Sequence, residues 1–175
     1  MATFGNTSAS TSLSDGIYAN SKLSTKAVLT ETGLVSKLSF YCWNSSANVI
    51  GIRSGIYTNH ASNYPLNLVS GTNATANMAA NQSLGWMDIT FGTPVSLDAG
   101  TYWLALQADA NGDNAIVYYL SQAASGAWIA DTYSDGIAST WGGTTTNSVY
   151  AQIYATYTVP VAGFTGLTVT RLLQG

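Results

Sequence analysis

Val49-Ile50-Gly51-Ile52-Arg53-Ser54-Gly55-Ile56-Tyr57-Thr58 is the stretch on which the fold class turns. Ile50, Ile52 and Ile56 share one side of an extended chain while Arg53 and Tyr57 take the other, the two-residue period of a strand with one face in the core. The same alternation runs outward in both directions. In 84–91, Met87, Ile89 and Phe91 alternate with Trp86, Asp88 and Thr90. In 148–158, Val149, Ala151, Ile153, Ala155 and Tyr157 alternate with Tyr150, Gln152 and Tyr154, so the second faces are aromatic as well as polar. Further strands are predicted over 34–43, 101–108 and 115–120, with shorter ones over 27–30, 66–70, 95–98 and 128–133. Turn clusters such as Asp98-Ala99-Gly100 and Asn111-Gly112-Asp113 separate them, and no run of ten or more residues keeps a helical period. The expected fold is all-β: a two-sheet antiparallel β-sandwich, jelly-roll-like, spanning residues 16–158.

The flanks read differently. Residues 1–15 are a Ser/Thr/Ala/Asn segment without an apolar face, expected to be a flexible arm with order starting near Ile17. The Asn- and Ala-rich region 72–83 suits either a long loop or one helical turn. After Thr158, Pro160 interrupts pairing, and Gly163 and Gly166 act as joints ahead of a β-prone run with Leu167, Val169 and Leu173 on one face. Residues 159–175 are therefore expected to be either the last strand of the sandwich or an assembly arm that adds to a neighbour.

Charge narrows the function. Charged residues are 7% of the 175, against about 25% in an average domain, and five Lys and Arg face eight Asp and Glu. No phosphate-neutralising surface can be built from that set, which argues against nucleic acid as a partner. No stretch approaches a membrane span, and the N-terminus lacks the basic start and apolar run of a secretory signal, so synthesis in the cytoplasm is expected. A polar surface with little charge repels neighbours weakly, and self-assembly is its natural consequence.

Candidate chemistry is thin. Cys42, the single cysteine, lies in Leu38-Ser39-Phe40-Tyr41-Cys42-Trp43 and reads as a small buried hydrophobe rather than a reactive thiolate. His60, the single histidine, sits in the polar stretch Tyr57-Thr58-Asn59-His60-Ala61-Ser62-Asn63, and no Gly-x-Ser-x-Gly or His-Glu-x-x-His pattern accompanies it. No catalytic residue and no cofactor is expected. Asp109, Asn111 and Asp113 place oxygens at alternating positions, the hard donors calcium takes, but a turn built on Asn, Gly and Asp explains the same residues more simply. Five Trp and eleven Tyr exceed what one sandwich core demands. Trp86, Trp103, Tyr119, Tyr150 and Tyr154 are the candidates for a stacking surface, which would take either a sugar ring or another subunit. The low charge favours the subunit.

One resemblance bears on this choice. The runs Gly51-Ile52-Arg53-Ser54-Gly55-Ile56-Tyr57-Thr58-Asn59, Tyr64-Pro65-Leu66-Asn67-Leu68-Val69-Ser70, Leu84-Gly85-Trp86-Met87-Asp88-Ile89 and Leu97-Asp98-Ala99-Gly100-Thr101-Tyr102-Trp103-Leu104-Ala105 resemble a β-sandwich module of phage structural proteins and bacterial surface proteins. The Ala-Gly-Thr-Tyr-Trp-Leu-Ala run is its most specific element, and the likeness covers about residues 28–157. It implies a non-enzymatic role in display, adhesion or capsid decoration. The expectation is a virion structural protein, a capsid decoration (cement) or head-fibre protein forming a homotrimer and binding a major capsid protein or another virion protein. The rival expectations are a carbohydrate-binding module on cell-surface glycans and a subunit of an extracellular filament.

Overall fold

The computed structural model describes residues 1–112 and 115–160, and among these no α-helix forms. The strands are β1 (Ala2–Gly5), β2 (Leu13–Gly16), β3 (Ser21–Leu29), β4 (Gly33–Asn44), β5 (Ile50–Asn59), β6 (Pro65–Leu68), β7 (Ala74–Met78), β8 (Gly85–Leu97), β9 (Gly100–Ala108), β10 (Ala115–Ala130), β11 (Asn147–Ala151) and β12 (Ile153–Thr158). Every pairing between them is antiparallel.

Two layers follow from the pairing. One is β8-β4-β12-β1, the other β3-β9-β5 with β6 and β7 along β5. The sixteen-residue β10 joins them: Ala115, Ile116 and Val117 pair with β4, whereas Gly126 to Ala130 pair with β3. Between the layers lies a core drawn from both, with Leu38, Phe40, Cys42, Ile89 and Ile153 meeting Ile50, Ile52, Ile56, Leu104 and Leu106. Ten such side chains, at about 1.5–3 kcal/mol each, are the main force holding the layers together. The all-β, sandwich-like fold read from the alternation is the fold observed.

The segment 1–15 departs from the expected arm. Residues 2–5 pair with β12, and Phe4 closes the core between Tyr102 and Tyr157, at ring centroid distances of 6.4 and 6.0 Å. Gly5 makes this approach possible, because its φ is +112° and a Cβ there would lie 2.5 Å from the Ile153 carbonyl oxygen. Residues 13–16 then pair with β10. A single Phe anchors the segment, and one apolar residue carries no periodicity to read.

Region 72–83 likewise holds a strand, β7, against β5. Two predicted pairs of strands prove continuous. The predicted strands 84–91 and 95–98 join, but for Leu84 and Asp98, in β8, which tolerates Pro94 because β4 is its one ladder partner among the described residues. Residues 115–120 and the 128–130 part of the predicted 128–133 strand merge into β10 through the irregular stretch between Ser121 and Gly126, and 131–133 leave the sheet. Leu167, Val169 and Leu173 lie outside the described residues.

Candidate functional site

The outward faces of the two layers are both aromatic, and the chain treats them differently. On the β3-β9-β5 layer, Trp103 and Tyr57 point away from the main core and are fully buried under residues 131–146. Ile137 and Trp141 descend from that segment, and Trp141 meets the Tyr57 ring edge-on at 5.2 Å. The Tyr57 hydroxyl donates to the Ala138 carbonyl at 2.6 Å, and the Trp103 indole N–H donates to Asn59 Oδ1 at 2.8 Å. Lys22 is 1% exposed beneath this cover, with its ammonium 3.0 Å from Asp131 Oδ2 and 4.9 Å from the Trp141 ring centroid. Burial lowers the Lys22 pKa below the ordinary lysine value, against the opposing pull of Asp131. Trp103 is thus sealed by its own chain and cannot contribute to a stacking surface.

The β8-β4-β12 layer shows its outer rings to solvent. Strand parity sends Leu38, Phe40 and Cys42 inward and Ser39, Tyr41 and Trp43 outward, and it does the same for Trp86 and Asp88 in β8 and Tyr154 in β12. Tyr41 and Trp86 are direct cross-strand partners with centroids 5.2 Å apart. Trp86 meets Tyr154 at 4.8 Å, and Tyr41 meets Tyr118 of β10 at 5.9 Å. Tyr41, Trp43, Trp86, Tyr118 and Tyr154 are all half-buried. At one end Asp88 accepts from Ser39 Oγ and pairs with the Lys37 ammonium, both at 2.5 Å. Burial would raise the Asp88 carboxyl, but the bonds from Lys37 and Ser39 with the Lys37 charge outweigh it and hold the group below its usual range. At the other end the segment after β1 touches the face, where Gln152 Nε2 donates to the Ser10 carbonyl at 2.7 Å.

Of the remaining candidates, Tyr119 packs against the main core. Tyr150 is half-buried on β11, its backbone carbonyl accepting from Asn6 Nδ2 at 3.0 Å and its phenol pushed up by burial. Trp86 and Tyr154 are therefore brought together, with Tyr41 and Tyr118 as members the sequence reading did not single out. Both had an available signal, since Tyr41 shares parity with Ser39, and Tyr118 lies in a predicted strand.

The other candidate groups are engaged locally. Asp109 Oδ2 accepts from the Gly51 N–H and Oδ1 from the Asn111 N–H, each at 2.8 Å, as a turn requires. Asp113 lies outside the described residues, and among those described no group of three or more His, Cys, Asp or Glu is placed to hold a metal. His60 stacks on Tyr64 at 4.2 Å and accepts the Ser62 N–H on Nδ1. Cys42 is buried, and burial pushes its thiol up to about 12, far from a thiolate at neutral pH. No family model matches the chain, and neither a curated protein nor a solved structure matches it.

Proposed function

We propose that this is a non-enzymatic structural protein of a virus particle, a capsid decoration or head-fibre protein that assembles through the open aromatic face of its β8-β4-β12 layer. The observation that carries the reading is the contiguous row Tyr154, Trp86, Tyr41 and Tyr118, half-exposed and fringed by one ion pair, on a chain that seals its other aromatic face completely. Tyr and Trp dominate the energetic centres of protein interfaces, because a rigid ring covers a large area at little entropic cost. The functional partners are further copies of the chain, as a homotrimer, and a major capsid protein or another virion protein.

The acidic side chains support a structural rather than a catalytic part, since Asp109, Asp88 and Asp131 each bind a backbone amide or a lysine of the fold. Light scattering on the full chain tests the reading. The expected result is a mass about three times 18.3 kDa that falls to the monomer value in a Trp86→Ala, Tyr154→Ala double variant with unchanged circular dichroism. A wild-type protein that stays monomeric and does not bind capsids would overturn it.

A further inference from the structure

A second feature is set apart from the open face. Between the strands β2 and β3, where both run against β10, lies a cavity of about 220 Å³. Asp15, Tyr18, Leu23, Trp128, Asn147 and Val149 line it, and an open shelf on its outer side shares Tyr18 and Trp128. These two rings are among the most exposed large side chains of the molecule, 44% for Tyr18 and 46% for Trp128. They meet edge-on, with centroids 5.9 Å apart and planes at 81°.

The placement is built. Tyr18 has φ +62° and Asn20 φ +49°, a left-handed backbone that a bulky residue such as tyrosine rarely adopts. The Tyr18 hydroxyl donates to Asp15 Oδ1 at 2.7 Å, which fixes the ring beside the carboxylate. The Gly16 N–H also donates to Oδ1, at 2.8 Å, so that oxygen is engaged while Oδ2 meets no protein donor among the described residues. Asn147 Oδ1 accepts the Val149 N–H at 3.0 Å, which leaves its amide N–H₂ as a donor at the rim.

We infer that this cavity is a binding site for one neutral sugar ring, with the Trp128 indole and Tyr18 as its apolar platform and Asp15 and Asn147 as its polar rim. A pyranose has a flat C–H face that covers an aromatic ring and equatorial hydroxyls that both donate and accept. Asp15 offers the acceptor and Asn147 the donor that such hydroxyls need. Among the described residues no cation lines the cavity, which disfavours an anionic ligand. The perpendicular rings put one edge on the other's face and leave a single platform, whereas a quaternary ammonium is best held by several converging faces. The inference does not rest on the assembly reading, as the residues are different.

The test is a titration of the ¹⁵N-labelled full chain with glucose, galactose, mannose and N-acetylglucosamine, with choline chloride as the competing class. The expected result is saturable shifts at Tyr18, Asn147 and the Trp128 indole with at least one sugar, half-saturating in the millimolar range. Trp128→Ala is expected to weaken binding about tenfold or more, the loss of one stacking contact. Asp15→Asn should weaken it while leaving the remaining spectrum in place, which covers the case in which Trp128→Ala does not fold. Absence of shifts with every sugar, shifts centred on Trp86 and Tyr154, or a stronger response to choline would each overturn the site.

Discussion

The two outer faces of the sandwich start from similar material and end in opposite states. The β9 and β5 strands put Trp103 and Tyr57 outward, and the connection 131–146 folds back over them with Ile137 and Trp141. The β4, β8 and β12 strands put Tyr41, Trp86 and Tyr154 outward, and the rings remain half-exposed. What separates the faces is a long-range covering segment, and that segment brings the aspartate that pairs with the buried Lys22 of β3 and the carbonyls of Asp131 and Thr132, to which Gln107 Nε2 donates. The lesson is that an aromatic face is not self-evidently a binding face. Only a face that the described residues leave uncovered is free to serve as one.

The largest expected effect breaks the covered face. Asp131→Ala leaves the Lys22 ammonium in a site 1% exposed and removes the acceptor of the Ala138 N–H, which donates to Asp131 Oδ2 at 3.2 Å. Stripping one partner from a buried pair costs about 3–5 kcal/mol. Urea unfolding should show the midpoint drop with the slope unchanged. The double variant Lys22→Met, Asp131→Leu should recover much of the loss, because no unpaired charge remains. If Asp131→Ala alone costs under about 1 kcal/mol, the cover is not held by this pair.

Next comes a direct comparison of two tryptophans. Trp103→Ala empties a fully buried site and is expected to cost about 3–5 kcal/mol. Trp86→Ala removes two ring contacts from a half-buried position, at about 0.5–1.5 kcal/mol each, so the fold should lose roughly 1–3 kcal/mol. The proposed assembly adds a second readout, since Trp86→Ala alone should lower the oligomer mass at a given concentration. Equal losses of stability, with no change in association, would erase the distinction between the faces.

These contrasts also show what the sequence could and could not convey. Alternation placed Trp86 and Tyr154 on the outward side correctly, because strand parity is local and 84–91 and 148–158 carry it cleanly. It gave Trp103 the same status, for parity reports which side a ring takes and not whether a segment some thirty residues downstream lies over it. The merging of 115–120 with 128–130 was hidden because Ser121-Gln122-Ala123-Ala124-Ser125-Gly126 has turn composition, although it continues β10 with Ala124 at φ +51°. Tyr18 left no signal at all. It sits between strands at a positive φ, and its partner Trp128 is more than one hundred residues away.

At alkaline pH the buried groups act with opposite signs. Burial, with Asp131's charge second, holds the Tyr57 phenol above the ordinary tyrosine value, and burial raises Cys42 to about 12 from 9.0. A group whose folded pKa is raised stabilises fully below its unfolded value and loses that contribution as pH climbs toward the folded one. Stability should therefore fall from about pH 9 upward as the unfolded thiol ionises first, and further above about pH 10 for the phenol. Lys22 acts oppositely. Its lowered pKa means the unfolded state binds more protons just below 10.5, so its contribution rises with pH there. Midpoints across this range should decline more steeply in Lys22→Met than in the wild type, and identical curves would show that Lys22 keeps an ordinary proton affinity.

The smallest effect belongs to the open face. Lys37 and Asp88 are 30% and 47% exposed, so water and salt screen their attraction even at 2.5 Å. Asp88→Asn keeps the side chain's size and leaves Ser39 Oγ an oxygen to donate to, so the fold should lose under about 1 kcal/mol. Because the Asp88 pKa is lowered, its contribution is present above the ordinary carboxylate value near 4 and disappears as pH falls through the folded value. The acid limb of the stability curve should flatten slightly in the variant, and added salt should remove the difference. Oligomer mass completes the comparison: a pair at the fringe of an aromatic contact should alter association far less than Trp86→Ala. If Asp88→Asn dissociates the assembly while Trp86→Ala does not, the contact is centred on the ion pair, and the rings are bystanders.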